Sequence, residues 1–471
     1  MKKLLSLIML LAGVTQISLA QSLEDHLIKA AENNPELKAY YNEYLAASER
    51  GNQVSLPDPE LQVGIFLQPM MRLMGIQQAD VQLMQMFPWF GMLKAQESEA
   101  DQMALARYQL FLDAKNNLFY QVKTTWYALA ELEQEIRITE ENLKILQQYE
   151  RMALIRFESA ANSSAGSNSS PMASAPSASF STGSGGMNTM GNQPEGMSNQ
   201  AKAPAMASPA AMGSTGPGMT DVLRIRLQIN ALENDLELLK SNKEPLEIEL
   251  NKLMNVDRDS QISNPEPLLP FAMNLEKQAI LDSISSNNPM IAMYDAELSA
   301  LESQKQMARL DGRPMFGAGV NYMPFKPRIE NGMPMGGDDM FMPMVTMTLP
   351  IYRKKTNARI KEAELLQESV RYKKENTLNQ LEIAWAKSFR DLEDANRKVK
   401  LYEQQLELAK QSLSLLLTSY ATNGQDFEEV LRAQQLVLDY EFSKIAAITR
   451  QYTSLAMLDM LSATGIQPYS N

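Results

Sequence analysis

Residues 354–420 read KKTNARIKEAELLQESVRYKKENTLNQLEIAWAKSFRDLEDANRKVKLYEQQLELAKQSLSLLLTSY, and this stretch decides the fold. Its 67 residues contain neither proline nor glycine and are rich in Leu, Ala, Glu, Gln and Lys. Apolar residues recur every three or four positions, as at Leu378, Leu381, Trp385, Phe389 and Leu392, which is the period of one helix face. At 1.5 Å per residue such a helix is roughly 100 Å long, too long for a compact domain. An elongated coiled architecture follows.

A second run of the same kind covers residues 91–159, where Gly91 is the only glycine and proline is absent. Trp126 lies 38 residues past Pro88 and Trp385 lies 35 past Pro350, so the two runs keep step. Asn33-Asn34-Pro35 returns as Asn287-Asn288-Pro289, an offset of 254 that also relates Tyr40 to Tyr294 and Ala46 to Ala300. Each copy continues as a helical pattern, breaks at proline (Pro57 and Pro59; Pro314) and then changes to period two. The chain therefore holds two repeats of helix, two strands and long helical hairpin. The first repeat is assigned to residues 21–265 and the second to 266–471.

The expected strands are 60–66 and 79–89 in the first repeat, and 315–323 and 341–351 in the second. Val81, Leu83, Phe87 and Trp89 fall on one face, with Asp80, Gln82, Met84 and Met86 on the other. An apolar face opposite a mixed polar one suits a strand between lipid and a lumen. A half-buried strand in a soluble sandwich alternates in the same way; the long helices that follow favour the membrane alternative. The helical hairpins are placed at 91–250 and 354–462. Asn423-Gly424 marks the second turn, read as residues 418–424, with the return opening at Glu429-Val430-Leu431-Arg432. The first hairpin has Arg156-Phe157-Glu158 before its break and Asp221-Val222-Leu223-Arg224 after it. Phe157 to Val222 spans 65 residues where Tyr420 to Val430 spans 10. The surplus is residues 160–219, rich in Ser, Ala, Gly and Pro and expected to be disordered.

Residues 1–20 read as a secretory signal: Lys2 and Lys3, an apolar core from Leu4 to Leu11, and Ser18-Leu19-Ala20 before Gln21. No later run is apolar over the roughly 18 residues that a spanning helix needs. The absence of Cys removes disulfides, thiolate metal sites and a catalytic thiol, and the single His26 leaves no histidine cluster. With 44 basic against 56 acidic residues the net charge is −12, which argues against a nucleic-acid partner. His26 is read as a surface residue of an amphipathic helix, and Asp338-Asp339 as solvated loop charge.

In the order and spacing of these elements the chain resembles the TolC-type outer-membrane efflux protein family, and within it the heavy-metal (CusC/CzcC-like) branch. The residues carrying the likeness are the paired Asn-Pro helix starts, Leu56-Pro57-Asp58-Pro59-Glu60-Leu61 before the first strand, and the Tyr420…Val430-Leu431 tip. The resemblance covers residues 22–465 apart from the insert. It implies a mainly α fold with a membrane β-barrel portion: a homotrimer forming a 12-stranded barrel on an α-helical barrel. It also implies outer-membrane lipid, a periplasmic adaptor (membrane fusion) protein and an inner-membrane RND-type pump as partners, and no enzymatic activity. Closing the pore falls to the hairpin tips, for which Tyr420, Asn423, Gly424, Gln425, Glu429 and Arg432 are the candidates, with Phe157, Asp221 and Arg224 at the first tip. Gln425 stands where the family has an arginine and Arg432 where it has an acid, so the closing network must differ.

Methionine is abundant, at 32 residues. Met172, Met187, Met190, Met197, Met206, Met212 and Met219 lie in the insert. Met333, Met335, Met340, Met342, Met344 and Met347 form a second concentration near the last strand. Thioethers are soft, uncharged ligands suited to transient binding of Cu(I) or Ag(I); they are equally flexible apolar filler. Copper or silver export, multidrug or general solute export, and a structural coiled-coil surface protein remain as functional alternatives.

Overall fold

The computed structural model describes residues 22–72, 74–165, 219–272, 276–330, 332–423 and 427–465. The expected signal, residues 1–20, lies outside them, as do residues 166–218 of the insert. Helix α1 (Leu23–Asn33) and α2 (Pro35–Asn52) lead into strands β1 (Glu60–Arg72) and β2 (Gly75–Phe87) and the helices α3 (Met92–Ala165) and α4 (Met219–Leu253). The order then repeats as α5 (Lys277–Asn287), α6 (Pro289–Asp311), β3 (Met315–Met323), three short strands β4 (Phe325–Lys326), β5 (Arg328–Glu330) and β6 (Met333–Met335), then β7 (Met340–Thr348), α7 (Arg353–Asn423) and α8 (Phe427–Ser462).

The repeated Asn-Pro has a physical explanation. Asn34 caps α2 by accepting from Leu37 N at 3.1 Å while its Nδ2 donates to Leu253 O at 3.0 Å. Asn288 caps α6 through Met290 N at 3.0 Å and donates to Leu461 O at 2.9 Å. Proline at the first helical position has no N–H to lose there. Each asparagine thus satisfies an orphan donor at one helix start and an orphan carbonyl at the end of the returning helix. In both repeats one side chain ties the first helices to the last turn of that repeat's hairpin.

Several boundaries differ from those expected. The strands expected at 60–66 and 79–89 extend toward each other as 60–72 and 75–87, with Arg72 paired to Gly75. Gly75 has φ +125°, and a Cβ there would lie 2.4 Å from Lys326 O. Trp89 leaves the strand and instead stacks on Phe316, ring centroids 6.0 Å apart. The last strand, expected at 341–351, ends at Thr348. Residues 160–165, expected in the disordered insert, continue α3, and Met219 opens α4. Residues 418–423, read as turn, form the last turn of α7, where Thr418 and Thr422 hydroxyls donate to carbonyls four residues back. Asp339 is not mere loop charge: it accepts from Tyr322 Oη at 2.5 Å and Phe325 N at 3.2 Å.

The main sheet is antiparallel in the order β1-β2-β3-β7, with β4 beside β2. Its register puts Leu61, Leu83, Val320 and Pro343 in one row and Val63, Val81, Tyr322 and Phe341 in the next. Phe87, Phe316 and Met347 form a third row on that face. Leu61, Val63, Ile65, Leu83, Phe341, Val345 and Met347 are all exposed there, Val345 at 83%. The opposite face carries Glu60, Gln62, Gln82, Met84, Asn321, Gly319, Met342 and Met344.

The chain packs as two units. One comprises residues 1–136, 239–408 and 439–471 and contains the sheet. Its core gathers Leu118, Val122, Trp126, Leu129 and Leu250 around α1, and Phe389, Leu392, Leu458 and Leu461 around Ile280 and Ile284 of α5. His26, expected at the surface, is fully buried in the first of these. It shares a stripe with Leu23, Leu27 and Ala30, and its ring centroid lies 4.6 Å from that of Trp126. Nδ1 donates to Ser22 O at 2.9 Å. Burial lowers its pKa from the usual histidine range, so the neutral ring is favoured. The other unit, residues 137–238 and 409–438, holds the described hairpin ends.

Candidate functional site

The hairpin ends are built around aromatic rings. Phe427, the first residue of α8, is buried; it lies 4.7 Å from the Tyr420 ring and meets Tyr149 edge-on at 5.9 Å. A buried aromatic at a helix start fixes how the chain leaves the preceding turn, because its area is large and its geometry directional. Val222 and Ile225 of α4 and Val430 and Leu431 of α8 are buried as well.

Polar groups are layered on this core. Tyr149 Oη donates to Gln434 Oε1 at 3.3 Å, and Gln434 Nε2 donates to Asn142 Oδ1 at 3.0 Å. Both links are buried, and burial pushes the Tyr149 hydroxyl pKa up. Arg156 of α3 places its guanidinium 4.3 Å from the centroid of Tyr420 and donates to the Tyr420 carbonyl at 3.3 Å. This cation–π contact with a supporting hydrogen bond joins the first hairpin to the second. Outside it, Glu428 receives Arg224 from α4 at 3.2 Å and Arg432 at 2.9 Å. Arg226 meets Glu150 at 2.5 Å. All these arginines are substantially exposed, so salt screens the pairs and each contributes little alone.

Among the residues expected at the tip, Tyr420, Arg432 and Arg224 fall into this one cluster. Asp221 is buried in the first turn of α4, where an acid complements the N-terminal end of the helix dipole. Glu429 is exposed, and the acid that pairs with Arg224 and Arg432 is Glu428 one position earlier. Phe157 is half-buried beside Arg156. Asn423 ends α7, and Gly424 and Gln425 lie outside the described residues. Sequence reasoning missed the roles of Arg156, Tyr149, Phe427 and Gln434. Arg156 stood in a motif already marked, and Phe427 was legible as an apolar residue just past the turn.

Of the insert methionines, Met172, Met187, Met190, Met197, Met206 and Met212 lie outside the described residues, and Met219 is exposed at the start of α4. Among the described residues no group of three or more His, Asp or Glu side chains is placed to hold a metal ion. No described helix is long and apolar enough to cross a membrane.

No protein-family profile matches the chain, and no curated protein matches its sequence. Solved structures do match its fold along nearly the whole length. The outer membrane protein VceC of Vibrio cholerae matches with TM-score 0.66 at 13% identity, over 94% of this chain and 97% of that one. CusC, described in terms of transmembrane channel formation, matches with TM-score 0.65 at 13% identity over 94% and 92%. The open-state MtrE outer membrane channel of Neisseria gonorrhoeae matches with TM-score 0.64 at 15% identity over 94% and 89%. The mainly helical fold with its sheet portion is therefore one found in outer-membrane channels. CusC fits no better than VceC, so the likeness does not single out a heavy-metal branch.

Proposed function

We propose that this chain is one of three identical subunits of an outer-membrane exit duct that works with a periplasmic adaptor and an inner-membrane RND-type pump. One observation carries the reading: a sheet of four main strands, the short β4 beside β2, with an exposed apolar face and with β1 and β7 as open edges among the described residues, joined to two pairs of long helices. Open strand edges cannot stand in hydrocarbon, because each unpaired N–H and C=O there costs several kcal/mol. Four strands are too few to close on themselves, whereas three copies supply twelve, within the range of about 8 to 26 known for such barrels. The apolar face then meets lipid, and the face with Gln82, Asn321 and the methionines lines the lumen. The channel fold of the matched structures supports the same assignment.

In this reading the Arg156–Tyr420–Phe427 cluster and the Glu428 ion pairs hold the two hairpin ends of a subunit together at the pore entrance, where adaptor and pump dock. The proposed cargo is Cu(I), Ag(I) or a related soft cation, supported by the seven thioethers of residues 160–219; general solute efflux is the alternative. The experiment is purification from outer-membrane fractions, followed by heat-modifiable gel mobility and planar-bilayer recording. Trimers that conduct are expected, and a soluble, non-conducting protein overturns the assignment in favour of a structural coiled-coil protein. Metal tolerance of cells carrying or lacking the gene separates soft-cation cargo from general efflux.

A further inference from the structure

The lumen-side face of the sheet has a second methionine arrangement that the reading above does not use. Met84 of β2, Gly319 of β3 and Met344 of β7 stand in one row, and Met86, Gly317 and Thr346 stand in the next. All six are on the face away from the exposed apolar rows. The Thr346 hydroxyl lies 3.7 Å from the Met84 sulfur and 3.9 Å from the Met86 sulfur. A Cβ added to Gly317 would sit 2.3 Å from Thr346 Oγ1, 2.6 Å from the Met86 sulfur and 3.3 Å from the Met84 sulfur. One added to Gly319 would lie 3.0 Å from the Met84 sulfur. Two thioethers and a hydroxyl thus converge on one point above a glycine floor, and no other residue type fits that floor without moving them.

We infer that Met84 and Met86, with Met344 beside them, form a coordination site for a soft monovalent cation, Cu(I) or Ag(I), inside the duct; this rests on the exit-duct reading. The chemistry of the donors supports it. Thioether sulfur needs no deprotonation and prefers soft metals. Filler methionine belongs in an apolar core, whereas these residues share their face with Glu60, Gln62, Gln82 and Asn321. Met84 is only 8% exposed, so its sulfur is held in place, while Thr346 is exposed and leaves the point open to solvent. Glu60, in register with Met84, places a carboxylate on the same face that favours a cation nearby. The position also suits transit. These rows lie at the end of β2 that feeds α3 and the end of β7 that feeds α7, so three copies would ring the passage from helical barrel into strand barrel.

The test uses the full-length trimer with Met172, Met187, Met190, Met197, Met206, Met212 and Met219 all changed to Leu, so that the insert contributes no thioether. Titration with Cu(I) against a chromophoric Cu(I) chelator under reducing conditions is expected to give about one tight equivalent per chain, with sulfur scatterers in the copper X-ray absorption spectrum. Adding Met84→Leu and Met86→Leu, which conserve volume, is expected to abolish that equivalent while leaving trimer mobility unchanged. Gly317→Ala keeps every thioether but puts a Cβ between them, and is expected to weaken binding by about tenfold or more. Unchanged stoichiometry in the double variant, or unchanged affinity in Gly317→Ala, overturns the site and leaves these methionines as packing over the glycines. Absence of conductance in the parent protein would instead defeat the duct reading, and the binding titration is read independently of it.

Discussion

Replacing Asn288 should loosen the junction between α6 and the last turn of α8 by an amount the structure allows to be estimated. Its side chain does two jobs, accepting from Met290 N at 3.0 Å and donating to Leu461 O at 2.9 Å, with the residue buried. Serine keeps the cap but cannot reach the carbonyl, so Asn288→Ser leaves a buried acceptor unpaired, which costs about 1–3 kcal/mol. Alanine removes the cap as well and adds about 1 kcal/mol. Asn288→Ala should therefore cost about 3 kcal/mol, with Asn34→Ala similar because its two bonds, at 3.1 and 3.0 Å, repeat the arrangement. Global unfolding of a large chain is rarely reversible, so local amide exchange is the suitable measurement. Amides of the last α8 turn and the first α6 turn should exchange about 100-fold faster in the Ala variant, at about 1.4 kcal/mol per factor of ten. The Ser variant should lie between. Exchange in Asn288→Ala equal to the parent's would refute the clasp, and equal effects of Ser and Ala would refute the separation into cap and clasp.

Other outcomes are expected. Arg156→Ala removes both the contact over Tyr420 and the bond to its carbonyl, about 1–2 kcal/mol together, and should raise resting conductance in bilayers without dissociating the trimer. Tyr420→Phe keeps the ring and the carbonyl and should leave conductance nearly unchanged. Phe427→Ala empties a buried ring site and should destabilise the hairpin end by about 3–5 kcal/mol, seen as proteolytic cleavage confined to the tip. Burial lowers the folded-state pKa of His26 below its unfolded value, so its contribution is fully present above about 6.5 and is lost as pH falls below that. Trp126 fluorescence, reporting from 4.6 Å away, should follow that loss, and His26→Leu should abolish the pH dependence. Changing all seven insert methionines to leucine should lower copper or silver tolerance while conductance persists; normal tolerance would remove the insert from the cargo argument.

Much of the fold is legible because its signals are local and repeated. Proline-free helical runs, the Asn-Pro caps and period-two strands each rest on a few neighbouring residues, and each occurs twice. Strand length was less legible. Alternation falters at Pro69, yet β1 continues because the ladder is already irregular between Ile65 and Met70, where a missing N–H is tolerated. The short strands β4, β5 and β6 carry too few residues for any period to register. His26 was misjudged for another reason: a polar side chain on the apolar stripe of α1 reads as surface unless its partner is known, and Trp126 is 100 positions away in the chain.

The site was only half legible, and the cause lies in how the hairpins pair. Tyr420 and Arg432 could be placed at a tip because turn chemistry and helix return are sequence-adjacent features. Arg156 meets Tyr420 across a separation of 264 positions, and Gln434 meets Asn142 across 292; no periodicity within one helix encodes such a match. Glu428 and Glu429 differ by one position, which on a helix is about 100° of rotation, enough to exchange an ion-pairing acid for an exposed one. The same holds for the sheet. Met84 and Met86 were read as the mixed face of β2, but only the register that brings Gly317, Gly319 and Thr346 against them makes two filler residues into convergent donors. Residue types set what each face can do, and cross-chain register decides which of those chemistries meet.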